Sequence, residues 1–192
     1  MKHTKVITRR GGSPQKAIDF LKDNPEAIKG YKVVVLHVGT NCFSTRHEWG
    51  LYLQLVNEPI LQDVFDRKLT ELKPPEAIGT PESFKDTYQK LIDLVRALNK
   101  EATILVSAIL PRFWDHPRRH LIRKSYNRIL EEFNAQPNVF FIYSYRPFFD
   151  RNQNLKQNLF EPDGHHLSQQ GAVVLRMYLC EKIDKALKGL LK

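Results

Sequence analysis

The chain reads as an α/β domain built on a parallel sheet with helices on both faces, and three observations lead there. Residues 33–38, Val-Val-Val-Leu-His-Val, form an apolar, β-branched run closed by Gly39, the pattern of a strand buried on both sides. Two similar runs follow, Ala102–Ile109 and Asn138–Tyr143. Between the runs lie segments whose apolar residues recur at steps of three and four, the spacing of a helix with one buried face. Strands alternating with helices make parallel β-α-β units.

Taken in order, Lys5–Thr8 is a candidate short strand, and a helix is expected from about Pro14 to Leu21 after the Gly11-Gly12 break. Proline suits the first turn of a helix, where its missing N–H costs nothing. Phe84, Tyr88, Leu91, Val95 and Leu98 mark a second helix, and Ile122, Tyr126, Ile129 and Phe133 a third. Leu175, Leu179, Ile183, Leu187 and Leu190 share one face of the last. Residues 43–83, with Trp49, Pro59, Pro74-Pro75 and Pro81, form a long insertion. It reads equally as a lid beside a site or as a packed helical excursion. In open parallel sheets ligands bind at the carboxyl ends of the strands. That edge would carry Gly11-Gly12-Ser13, Gly39-Thr40-Asn41 and the loop from Asp163 to His166.

The 192 residues make one domain, 1–192, long enough for a single core. A hydrophobic share of 42% beside 27% charged residues is ordinary for a soluble globular chain and argues against disorder. No apolar run approaches the ~18 residues of a membrane span, and the N-terminus lacks the apolar core of a signal peptide. With no Asn-x-Ser/Thr sequon either, an intracellular place, cytoplasmic or nuclear, is the expectation. Cys42 and Cys180 are too few and too far apart for a disulfide framework or a metal site. No metal and no cofactor is expected. The net charge of +9 would attract nucleic acid or another polyanion. Its clusters, Arg9-Arg10, Arg118-Arg119, Arg123-Lys124 and the Lys182, Lys185, Lys188 series, are scattered, and a solvated basic surface is the plainer account.

The strongest motif is Phe160-Glu-Pro-Asp163-Gly-His-His166-Leu-Ser-Gln-Gln-Gly171. On a tight turn the Asp163 carboxylate can hold the Nδ1–H of His166 and leave Nε2 to take a proton from a nucleophile. Alone, Asp-x-x-His is more often a helix-capping loop, and Ser168 could cap the last helix whatever His166 does. His165 fits the pairing less well. After the first long strand, Gly39 allows close backbone approach and the Asn41 amide can donate to a developing oxyanion. Backbone N–H groups at Gly11-Gly12 could supply a second donor. Each of these turns, taken singly, is an ordinary turn.

In this order, a glycine turn before a helix, a strand ending Gly-Thr-Asn, and Asp-x-x-His-Leu-Ser before the last helix, the chain resembles the SGNH (GDSL-like) hydrolase superfamily. The resemblance covers nearly the whole chain after residue 10. It implies a flavodoxin-like three-layer α/β/α sandwich with a parallel sheet, and hydrolysis of carboxylic esters of acyl, lipid or carbohydrate substrates. The family's glycine falls on Gly12, with Gly11 the close alternative, its asparagine on Asn41, and its last block on Asp163 and His166. Leu36-His-Val-Gly-Thr-Asn41, Ser107-Ala-Ile-Leu-Pro-Arg112 and Asp163-Gly-His-His-Leu-Ser168 look most like a branch associated with animal retroelements and their uncharacterised relatives.

Two departures matter. Cys42 stands where the family usually has an aspartate that supports the turn. No basic group is evident to lower its pKa, so it reads as a small, half-buried side chain rather than a nucleophile. The family's first block, a strand running into Gly-Asp-Ser, has no counterpart, since no serine precedes Gly11. Ser13 follows the glycines and precedes Pro14, which makes it a helix cap. No nucleophile is therefore assigned, and the nucleophile strand is expected to be missing. The loss of a central strand would leave backbone groups unpaired, which favours a truncated or mis-started chain. Two functions follow as expectations. One is an esterase-like domain inactive as given; the other is a non-catalytic basic domain that holds nucleic acid or a protein partner.

Overall fold

The computed structural model describes residues 12–39, 81–112, 117–164 and 166–191. The expected strand at 5–8, Gly11, Asn41, Cys42, His165 and the insertion up to residue 80 lie outside these residues. The described chain holds three strands, β1 (Val33–Leu36), β2 (Thr103–Ser107) and β3 (Val139–Ile142), and four α-helices. These are α1 (Pro14–Asp23), α2 (Pro81–Leu98), α3 (Pro117–Glu132) and α4 (Gln169–Leu187). The strands pair in parallel in the order β1-β2-β3, and the expected α/β fold with a parallel sheet and flanking helices is what forms. Each strand is shorter than its apolar run, because pairing ends where the chain turns into the loops of the carboxyl edge.

Register follows from burial. Val34 pairs with Ile104 and Ile104 with Val139; Leu36 pairs with Val106 and Val106 with Phe141. Side chains alternate across a strand, so these six share one face. All six are buried with Ile18 and Leu21 of α1, the apolar face of α2, and Tyr126 and Leu130 of α3. Helix α2 is the centre of this layer: Tyr88, Leu91, Ile92 and Val95 have no exposed surface. The Tyr88 hydroxyl, buried among them, donates to the Leu36 carbonyl at 3.3 Å. This satisfies a polar group that would otherwise be costly to bury. On the opposite face Leu105 and Ile142 are buried, and α4 approaches β1.

The helix ends match their sequence signals. Ser13 caps α1, its hydroxyl accepting from the Lys16 N–H at 3.3 Å with Pro14 in the first turn. Ser168 caps α4 by accepting from the Gly171 N–H at 3.1 Å. Two expectations change. The buried face of α3 includes Leu130, Asn127 and Arg123 as well as Tyr126. Arg123 is 4% exposed and so does not belong to the solvated basic surface. Helix α4 is less buried than its leucine face implies, with Leu187 at 47% and Leu190, just past its end, at 63% exposure.

Leu130 has no exposed surface and joins α3 to the main core. Leu130→Ala is expected to cost about 2–5 kcal/mol, the range for a buried leucine truncated to a cavity. Urea denaturation of the two proteins checks it through the shift in midpoint at unchanged slope.

Candidate functional site

The loop from Phe160 to Ser168 joins the last 3-10 turn, Gln157–Leu159, to α4. It is a narrow hairpin: Phe160 and Leu167 form an antiparallel bridge, and the Glu161 N–H donates to the His166 carbonyl at 2.9 Å. Gly164, at the tip, has φ +62°, the left-handed conformation that glycine adopts at no steric cost. Its N–H donates to the Glu161 carbonyl at 2.8 Å. The hairpin is seated by Phe160 and Leu159, buried with Phe148 against Leu110, Leu167, Val174 and Leu175. Leu110 follows β2 and Phe148 follows β3, so the loop sits with the segments that leave the carboxyl ends of the strands.

Within it the Asp163 carboxylate makes two contacts with one residue. Oδ1 accepts from the His166 backbone N–H at 2.9 Å, and Oδ2 lies 2.6 Å from His166 Nδ1. A carboxylate only accepts, so Nδ1 carries the proton and Nε2 is the accepting nitrogen. The side chains are 46% and 71% exposed. A contact that open to water adds little to stability, and its geometry comes from the turn.

The start of α4 is held against this loop by contacts that admit no side chain at Gly171. The Ser168 hydroxyl donates to the Asn158 carbonyl at 2.9 Å, and the Ser168 N–H donates to the Leu159 carbonyl at 3.0 Å. A Cβ on Gly171 would lie 2.0 Å from the Leu159 carbonyl oxygen. Gly171 is therefore a packing glycine that lets the helix cap press on the loop carrying Asp163 and His166.

At the end of β1, Gly39 has φ +123°, and a Cβ there would meet Phe84 at 3.3 Å and Ile109 at 3.4 Å. The positive φ favours glycine, and a Cβ would make the neighbouring side chains give way slightly. The loop after β2 is pinned by Asn127, which accepts from the Ile109 N–H at 2.7 Å and donates to the Ile109 carbonyl at 3.2 Å. Gly12 is half-buried immediately before the α1 cap.

The same edge holds residues to which the motifs did not point. His37 follows β1, and its Nδ1 lies 2.7 Å from the hydroxyl of Ser107, the last residue of β2. Ser107 donates to Ser144, beyond β3, at 2.8 Å. The one sequence signal was a histidine closing an otherwise apolar run. His37 keeps part of its surface open to solvent, yet protein atoms crowd it, and burial lowers its pKa below the ordinary histidine value.

Some of the described charge is paired. Lys85 pairs with Glu132 at 2.5 Å, and Glu181 pairs with Lys185 at 2.7 Å and Lys182 at 3.4 Å. Arg112 is 7% exposed. Among the described residues no group of three or more His, Cys, Asp or Glu could hold a metal ion. No helix among them is long and apolar enough to cross a membrane.

A parallel sheet with flanking helices makes this an α/β protein, with an imidazole–carboxylate pair on the loop before the last helix. Residues 7–174 match the GDSL-like lipase/acylhydrolase family model, and the chain belongs to that family. Solved structures agree on the fold. A protein of Streptococcus pneumonia whose name refers to platelet activating factor is similar over 95% of this chain and 74% of its own, with TM-score 0.63 and 18% identity. A GDSL-like lipase from Bacteroides thetaiotaomicron is similar over 92% and 73%, with TM-score 0.56 and 17% identity. A lipase from a goat rumen metagenome is similar over 88% and 73%, with TM-score 0.59 and 14% identity. No curated protein sequence is similar enough to be matched.

Two outcomes test this geometry. Gly171→Ala is expected to lower stability by about 1–3 kcal/mol, the usual cost of forced overpacking. Thermal melting reads the loss, and amide exchange should show it concentrated at residues 159–171. The second concerns His37. Its folded-state pKa is depressed, so below the unfolded value of about 6.5 the unfolded chain binds the proton more readily. Its contribution is complete above that pH and is lost as pH falls. Melting temperature should drop more steeply below about pH 6.5 in the native protein than in His37→Gln.

Proposed function

We propose that this chain carries the acid–base half of a Ser-His-Asp ester hydrolase site, with His166 as proton carrier and Asp163 as its orienting carboxylate. The observation behind this reading is the double hold of Asp163 on His166, at 2.9 Å through the backbone and 2.6 Å through the ring. A cap alone would need only the backbone contact. The ring contact fixes the imidazole as the Nδ1–H tautomer with Nε2 as base, the arrangement that activates a serine hydroxyl. Gly12, through its N–H, and Asn41, through its amide, are the proposed oxyanion donors. The substrate class is a carboxylic ester carrying an acyl, lipid or carbohydrate group.

The attacking hydroxyl is the part not assigned. Ser13 has its oxygen at the start of α1, where it accepts from the Lys16 N–H. Ser168 is spent on the cap of α4 and on the Asn158 carbonyl. Ser107 and Ser144 are buried, out of reach of a substrate. The chain as given is therefore proposed to bind an ester without turning it over.

The test is a short-chain chromogenic ester together with a fluorophosphonate probe. The expected result is no turnover above the spontaneous hydrolysis of the ester, and no labelled serine. Labelling or turnover that disappears in Ser13→Ala would overturn the nucleophile assignment. Turnover indifferent to His166 would overturn the acid–base assignment.

A further inference from the structure

The carboxyl edge carries a second, buried hydrogen-bond chain that the His166–Asp163 pair does not use. It runs across the ends of all three strands. His37 Nδ1 is 2.7 Å from Ser107 Oγ, Ser107 donates to Ser144 Oγ at 2.8 Å, and Ser144 donates to the Ala108 carbonyl at 3.0 Å. Ser107 is 1% exposed and Ser144 0%, so solvent cannot stand in for a missing partner.

The direction of this chain is fixed at its far end. A carbonyl oxygen only accepts, so the single proton of Ser144 goes to Ala108. Ser144 then accepts from Ser107 at 2.8 Å, a shorter contact than the 3.5 Å from Ser107 Oγ to the Ala108 carbonyl, and either acceptor uses the single proton of Ser107. Only lone pairs remain on Ser107 for the imidazole, and Nδ1 has to donate. Reversing the chain would place the Ser144 and Ala108 oxygens 3.0 Å apart with no proton between them, in a site where an unmade hydrogen bond is costly. In a neutral imidazole with a proton on Nδ1, Nε2 is an acceptor. The lowered pKa of His37 agrees with the neutral form.

We propose that His37 is a second fixed-tautomer acceptor on the carboxyl edge, whose Nε2 receives a hydroxyl group of a neutral ligand bound there. A protonated histidine would favour an anion; one held neutral and Nδ1-protonated favours an alcohol or sugar hydroxyl. Exposure of His37 at the edge where parallel sheets bind ligands gives such a group access. The proposal does not depend on an ester being cleaved.

Nitrogen-edited NMR of the full chain tests it, with His37→Gln identifying the signal among the seven histidines. Wild type is expected to show a protonated Nδ1 and a pyridine-type Nε2 at neutral pH. In Ser144→Ala the Ser107 proton is shared between Nδ1, at 2.7 Å, and the Ala108 carbonyl, at the longer 3.5 Å, and the tautomer should move toward Nε2–H. Diethyl pyrocarbonate gives a chemical readout. The unprotonated nitrogen attacks one carbonyl of the anhydride, the bond to the bridging oxygen breaks, the ring gives up its Nδ1 proton, and the expelled ethyl carbonate takes up a proton and decays to carbon dioxide and ethanol. His37 should be modified in wild type and severalfold more slowly in Ser144→Ala, whose remaining lone pair faces Ser107. Titration with methyl β-glucoside should shift the His37 Nε2 resonance in wild type and leave it in place in Ser144→Ala. A wild-type Nε2–H tautomer, or an unreactive His37, would overturn the assignment even if the variant failed to fold. An Nε2 signal unmoved up to the solubility of the sugar would overturn the ligand.

Discussion

The parallel register of the three strands is the constraint from which the described structure follows. It is set by one buried face, on which Val34, Ile104 and Val139 lie in one row and Leu36, Val106 and Phe141 in the next. A slip of one residue in any strand would turn its apolar set toward the other layer. That would break the packing against α2, where Tyr88, Leu91, Ile92 and Val95 are completely enclosed. The same register ends all three strands at one level. The residues just past them, His37, Ala108 and Ser144, become neighbours only because the apolar rows beneath them are in step.

Two histidines on that edge are held by different physics. His166 is fixed by an exposed carboxylate on a three-residue turn, whose shape depends on Gly164 and on the seating of Phe160 and Leu159. Its side chain stays largely in water, where charges are screened. His37 is fixed by two buried hydroxyls, which resist rearrangement because each has only one proton to give. Crowding at its ring then favours the uncharged state. One histidine is placed by local chain geometry, the other by contacts 70 and more residues apart in sequence.

Polar residues inside the second layer follow a single rule. Asn127 would be expensive in α3 were it not paired with both backbone groups of Ile109. That pairing settles the loop after β2, and Ile109 in turn packs on Gly39. Helix α3, the β2 loop and the end of β1 thus form a chain of supports beneath the carboxyl edge. Glycine serves at two points where backbone meets neighbour: it is favoured at Gly39 under Phe84 and Ile109, and required at Gly171 against the Leu159 carbonyl.

The sequence by itself determined the alternation of strands and helices, the caps at Ser13 and Ser168, and the Asp163–His166 pairing. Each of these is local: periodicity, capping and a three-residue turn all act within a few positions of the chain. The family resemblance rested on the order of such local blocks, and the match over residues 7–174 upholds it. Tertiary structure alone decided that Arg123 is buried, that α4 keeps much of its leucine face open, and that Gly171 is a packing glycine. It also decided that His37 meets Ser107 and Ser144. Burial and hydrogen bonding between strands depend on which segments lie side by side, and no spacing within one segment encodes that. The Asp163–His166 contact was legible because its two residues share a turn; the second histidine was not, because its partners come from other strands.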